Sequence, residues 1–154
     1  MNRLLFSLVV AFLALASCHE VALYDSNYDV KGNVWSVDST ARFLVSVSDT
    51  VSPHHIFVNV RNTTDYPYSN LFLFIHTTSP AGASLRDTLE CTLADKKGNW
   101  LGKGFGALRD SRIPYKRYVR FPEQGIFTIE IEHGMRTRNL QGIASVCLRV
   151  EKAK

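Results

Sequence analysis

Arg42-Phe43-Leu44-Val45-Ser46-Val47-Ser48 decides the fold. Phe43, Val45 and Val47 alternate with Arg42, Ser46 and Ser48, and a period of two puts the apolar set on one face of a half-buried strand. Ile56, Val58 and Val60 repeat the pattern against Asn59 and Arg61. Leu71-Phe72-Leu73-Phe74-Ile75 is apolar on both parities, which predicts a central strand covered on both sides. Arg86–Leu93, Trp100–Phe105, Tyr115–Phe121, Ile126–His133 and Ile143–Val150 supply further strands. Turn signals punctuate them at Ser52-Pro53, Asp65-Tyr66-Pro67, Ser79-Pro80-Ala81-Gly82, Lys97-Gly98-Asn99 and Glu123-Gln124-Gly125. One helical turn is expected, around Gly106 to Ser111. The pattern predicts an all-β chain, an antiparallel β-sandwich of about eight strands. Phe43, Val58, Leu73, Leu89, Phe127, Ile129, Val146 and Leu148 are its expected core.

The N-terminus reads differently. A basic leader, Met1-Asn2-Arg3, precedes an apolar run from Leu4 to Ala14 and then Leu15-Ala16-Ser17-Cys18. That order is a cleaved secretory signal, and a Cys directly after the cut makes it a bacterial lipoprotein signal. The apolar run is too short to cross a hydrocarbon core of about 30 Å. In such signals the thiol receives a diacylglycerol, the chain is cut before the Cys, and the new α-amine is acylated. Cys18 is therefore the expected lipid attachment site, and these acyl chains are the only cofactor-like groups implied. Two or three chains make attachment effectively permanent. His19 stands where an inner-membrane retention signal would have Asp, which favours the outer membrane, periplasmic or surface-facing. The expected organisation is a signal peptide at 1–17, a tether or arm at 18–33 and one sandwich domain at 34–154.

The net charge is +4 and falls by one when Arg3 is removed. So mild an excess, outside the cytoplasm, argues against nucleic acid and leaves anionic lipid or sugar acids as partners. Cys91 and Cys147 remain in a compartment where disulfides persist. Strand parity places Cys91 inward with Leu85, Leu89 and Leu93. Cys147 falls opposite Ala144, Val146, Leu148 and Val150, so the two thiols are expected to stay unpaired.

Several residues could carry chemistry. His54-His55, with His19, His76 and His133 elsewhere in the chain, cannot readily chelate one ion because neighbours on a strand face opposite ways; the pair reads as loop histidines, and no metal site is expected. Glu130 and Glu132 have a glycosidase-like spacing but also decorate any solvent-facing strand. Gly102-Lys103-Gly104-Phe105-Gly106 lacks the spacing of a phosphate loop and reads as a strand bend. Arg109, Arg112, Lys116, Arg117 and Arg120, interleaved with Tyr115 and Tyr118, form either a partner-binding strip or a charge-protected edge strand. Tyr66 and Tyr68, in the loop Asn62–Asn70, are candidate partner contacts. Trp35 and Trp100 are, with those tyrosines, candidate sugar-stacking rings. Ser39, Thr50 and Thr88 each follow an Asp in a short pattern resembling the O-glycan acceptor sites of Bacteroidota.

Taken together, Cys18, Trp35, Asn59-Val60-Arg61-Asn62, Asp65-Tyr66-Pro67-Tyr68-Ser69-Asn70-Leu71, Asp87-Thr88-Leu89, Gly98-Asn99-Trp100-Leu101-Gly102, Gly104-Phe105-Gly106, Phe121-Pro122, His133-Gly134-Met135-Arg136 and Gly142-Ile143 resemble the gliding-motility lipoprotein GldH family of Bacteroidota over nearly the whole mature chain. The resemblance implies an outer-membrane-associated lipoprotein, needed for gliding in motile members, with no catalytic residue assigned. The expected function is a non-enzymatic scaffold or accessory component of an envelope motility or secretion assembly. A lipid-anchored glycan-binding sandwich is the alternative, and a hydrolase using Glu130 and Glu132 a distant third.

Overall fold

A computed structural model describes residues 22–154; the signal segment and Cys18 lie outside the described residues. Ten strands follow one another: β1 (Tyr24–Asp29), β2 (Val34–Ser36), β3 (Ala41–Val47), β4 (His54–Thr63), β5 (Asn70–Thr78), β6 (Ser84–Thr92), β7 (Leu108–Val119), β8 (Gly125–His133), β9 (Asn139–Gln141) and β10 (Ile143–Lys152). A single helical turn, Lys31–Asn33, interrupts them. Two four-stranded sheets, β1-β10-β4-β7 and β3-β8-β5-β6, are antiparallel throughout, and β2-β9 forms a separate ribbon. This is the sandwich that the alternation predicts. β3 buries every second residue from Ala41 to Val47, and β4 buries His54, Ile56, Val58 and Val60 in the same way.

Phe43, Val58, Leu73, Phe127, Ile129, Val146 and Leu148 meet in the core, and Leu89 packs against it half-buried. Burial of each such aliphatic or aromatic side chain contributes about 1.5–3 kcal/mol. The two long seams are closed differently. On one side the Tyr24 and Phe43 rings meet edge to face at 6.5 Å. On the other, Asp87 of β6 accepts the Tyr115 hydroxyl at 2.6 Å and pairs with Lys116 at 2.8 Å, both from β7.

Several expectations change. Tyr24–Asp29 is not an arm but a strand paired along β10 from Val150 to Ser145; Tyr24, Ser26 and Tyr28 face the protein while the acidic and amide residues between them face solvent. β5 is central in its sheet, yet only Leu71, Leu73 and Ile75 are buried, with Phe72 and Phe74 half-covered on the outer face. That outer cover is the Arg86 guanidinium, 4.5 Å from the Phe74 centroid, and Met135. Trp100–Phe105 forms no strand of its own and touches its neighbours through isolated bridges, Ala94 with Trp100 and Lys103 with Asp110. Gly106–Ser111 is not helical, because β7 already begins at Leu108.

In β10 a bulge between Ile143 and Ser145 shifts the register. Ile143 and Val146 therefore both point inward, Ala144 leaves the core set, and the expected parity holds from Val146 onward. Cys147 faces outward and Cys91 inward, and both are free.

Strand register defines two ends. Tyr24, Val150, Ile56 and Lys116 form one cross-strand row, and Asp29, Ser145, Arg61 and Asp110 form another. The first row marks the lower end, where the described chain enters. The second marks the upper end, capped by the β2-β9 ribbon. The outermost strands differ. β7 contains Pro114 and two register shifts against β4, whereas β3 is regular along its whole length and exposes Leu44.

Candidate functional site: the upper end of the sandwich

Three connections converge at the upper end: Thr64–Ser69, the long link from Leu93 to Ala107, and Gly134–Arg138. Each is shaped by local chemistry. Tyr66 lies buried, its hydroxyl donating to the Asn70 carbonyl at 2.8 Å and its amide to the Thr63 carbonyl at 3.1 Å. Burial pushes its phenol well above the ordinary range. The Tyr66 ring meets Tyr68 edge to face at 5.6 Å and lies tilted against Trp100 at 6.5 Å. Tyr68 is thereby held out, 42% exposed, as a ridge between two hollows. One, of about 440 Å³, is lined by Tyr68, Phe72, Gly134, Met135 and Arg136. The other, of about 190 Å³, lies against Pro67, Thr137, Asn139 and Gln141.

The neighbouring hairpin is built to project one side chain. In the turn that precedes it, bridged from Ala94 to Trp100, the Asn99 side-chain amide at 2.9 Å and then the Asn99 and Lys97 backbone amides at 2.9 and 2.8 Å hold the Asp95 carboxyl below the usual range. Lys103 and Asp110 exchange backbone bonds at 2.9 and 2.7 Å. A Cβ on Gly104 would stand 2.1 Å from the Leu108 carbonyl oxygen, so only glycine lets the hairpin lie so close to β7. Arg109 braces the tip by donating to the Gly106 and Leu108 carbonyls at 2.8 and 2.7 Å. Phe105 stands at that tip 99% exposed, with Leu101 and Leu108 also exposed beside it. The sequence reading treats this segment as a bend and misses Phe105 and Met135. The available signal is a large aromatic between two glycines, a pattern that no packed strand requires.

The other candidates fall elsewhere. Trp35 is 1% exposed, donates from Nε1 to the Ser39 carbonyl at 2.7 Å and sits edge-on to His133; it cannot stack on a sugar, and neither can the enclosed Tyr66. Trp100 is half-buried against Tyr66. The basic set does not form one strip. Arg112 stacks over Phe57 at 3.9 Å and pairs with Glu151 at 2.7 Å, Lys116 pairs with Asp87, and Arg117 and Arg120 lie exposed at the lower end. Ser39 and Thr50 are half-buried and Thr88 exposed.

Glu130 pairs with Arg42 at 2.7 Å and Glu132 accepts the Thr40 hydroxyl at 3.0 Å; neither lines the hollows described. His54 and His55 are not in a loop. They open β4 on opposite faces, His54 buried against Phe121 and His55 against Tyr118. Among the described residues no group of three or more His, Cys, Asp or Glu could hold a metal ion.

Comparison with known proteins fixes the family. The protein-family model described as GldH lipoprotein matches residues 22–150. The chain belongs to the GldH lipoprotein family. It is 34% identical to the gliding motility lipoprotein GldH homolog of Christiangramia forsetii, over 96% of this chain and 94% of the relative. It is 32% identical to the gliding motility lipoprotein GldH of Flavobacterium johnsoniae, over 94% of each. As a member of a gliding-motility lipoprotein family, it is a membrane-associated envelope protein, and the family is not a known enzyme family. Among solved structures, CBM35 from Cellvibrio japonicus Abf62 aligns over 90% of this chain and 94% of its own at 13% identity. The TM-score is 0.33, too low to inform the site.

Proposed function

We propose that this chain is a non-enzymatic component of an outer-membrane motility or secretion assembly, held by acyl chains on Cys18 and docking a partner protein through its upper end. The observation that carries the reading is Phe105: a fully exposed aromatic on a braced glycine hairpin, at the opposite end from Tyr24 near the start of the described chain. Aromatic anchors that fill a partner's pocket dominate the energy of protein interfaces. Rigid presentation lowers the ordering cost of binding. Tyr68 and the apolar hollow beside Met135 lie at the same end, and exposed apolar side chains with polar neighbours suit a protein better than a sugar.

Crosslinking pull-down from native cells tests this, with the tagged full chain compared with Phe105→Ser and Tyr68→Ser. The expected result is an envelope protein recovered with the parent chain and lost with Phe105→Ser, while thermal stability is unchanged. Equal recovery with both variants would overturn the proposed surface.

A further inference from the structure

We infer that the lower end is a phospholipid-binding face, where an acyl chain enters a cleft between β6 and β7 and Arg117 and Arg120 hold the phosphate. The inference rests on the reading of Cys18 as the lipid anchor and adds a second contact with the same bilayer. Below the Tyr115–Asp87 bridge lies an open cleft of about 280 Å³ whose apolar walls include Ile56, Leu85, Val119, Phe121, Phe127 and Ile129. It reaches core side chains from outside, which suits an unbranched apolar chain.

The rim has interfacial chemistry. Val51 is 79% exposed and Tyr118 63%. Leu85 and Ile126 are more than half exposed at the same end. The Arg120 Nε donates to the Val51 carbonyl at 2.8 Å, joining cation and apolar tip. Tyrosine beside arginine, with apolar side chains next to them, matches the boundary between headgroups and acyl chains.

Charge favours an anionic headgroup. Among the described residues of this end, Asp49 pairs with Lys152 at 2.7 Å, Asp87 with Lys116 at 2.8 Å, Glu151 with Arg112 at 2.7 Å and Asp25 with Arg149, while Glu123 accepts the Ala81 amide at 3.3 Å. Arg117 and Arg120 lie exposed and form no ion pair among the described residues, and guanidinium forks match phosphate. Position agrees as well. Tyr24 shares a cross-strand row with Ile56 and Lys116, and Cys18 precedes Tyr24 by six residues, a reach of at most about 20 Å. The cleft therefore stays within range of the membrane that holds the anchor.

Photocrosslinking of the acylated full chain, reconstituted in vesicles of phosphatidylethanolamine and phosphatidylglycerol, tests the inference. A photoreactive phenylalanine replaces Leu85 in one sample and Phe105 in another. Phospholipid adducts are expected at position 85 and not at 105, and are expected to be lost in Arg117→Glu/Arg120→Glu. Adducts only to a second protein chain at 85, no adducts at 85, or equal lipid adducts at both positions would overturn it. The mass of the mature N-terminus separates the two readings. An unacylated Cys18 overturns both, whereas an acylated Cys18 with no lipid adduct at 85 overturns this inference alone.

Discussion

Gly142 packs directly on the backbone of Tyr66: a Cβ at Gly142 would stand 2.7 Å from the Tyr66 Cα, and its φ is +89°. The bulged start of β10 thus positions the ring that holds Tyr68 outward. Gly142→Ala combines a left-handed backbone with a clash, and is expected to cost on the order of 3 kcal/mol. Thermal unfolding reads the loss, and altered Tyr68 exposure reads its spread to the candidate surface.

Gly104→Ala is expected to destabilise the hairpin by about 1–3 kcal/mol, because the new methyl must displace the Leu108 carbonyl. The hairpin carries no core residue between Gly102 and Ala107. The expected pattern is therefore a modest fall in Tm with loss of partner recovery, and unchanged recovery would separate hairpin geometry from docking.

Leu73 is fully buried and Leu44 is 56% exposed, so truncation should separate them. Leu73→Ala is expected to cost about 2–5 kcal/mol and Leu44→Ala less than about 0.5 kcal/mol in denaturant unfolding.

His54 and His133 are buried. Desolvation lowers both imidazole pKa values; Asp49 opposes this at His54, and the Trp35 and Arg138 backbone opposes it at His133. A folded-state pKa below the unfolded value of about 6.5 means the unfolded chain takes up protons first. Stability is therefore full above that pH and falls as the solution is acidified through it. Tm should decline from pH 7.5 to pH 5, and His54→Leu should flatten the decline.

Burial raises the Cys91 thiol to about 12, and burial with the Asp25 carboxylate raises Cys147 to about 11. Neither is a thiolate at neutral pH. Thiol titration under non-reducing conditions should find no internal bridge in the domain. In the native protein Cys147 should react before Cys91, which should react only on unfolding.

The legible parts of this fold are those where burial alone sets the pattern. Phe43, Val45 and Val47 can alternate with polar residues only if one face is buried, and the structure agrees. Leu71–Ile75 misleads because apolar composition does not say what covers a face. The outer side of Phe74 is shielded by the stem and guanidinium of Arg86, a long side chain whose cover is invisible in a local window. β1 escapes notice because Tyr-Asp-Ser-Asn-Tyr-Asp is poor in strand-forming aliphatics, and pairing with β10 supplies what propensity does not.

The candidate surface is less legible for a related reason. Arg112 and Lys116 look like free cations until Glu151 and Asp87 arrive from distant segments. Trp35 looks like a sugar platform until the Ser39 carbonyl satisfies its indole N–H and permits burial. Phe105 looks like part of a bend because its role depends on the close approach of Gly104 to the start of β7, a packing contact across the turn that residue types alone do not reveal.

The open, regular edge of β3 has a consequence for neighbouring copies. Such an edge invites strand pairing between molecules, and a two-fold axis across it would join the copies antiparallel. Under the proposed Cys18 anchorage, two copies standing upright on one leaflet would have their β3 strands running the same way, so that pairing would turn one of them upside down, away from that anchor. Tethering by the lower end would thus guard the edge through orientation, a protection that a chain released from the bilayer would lose.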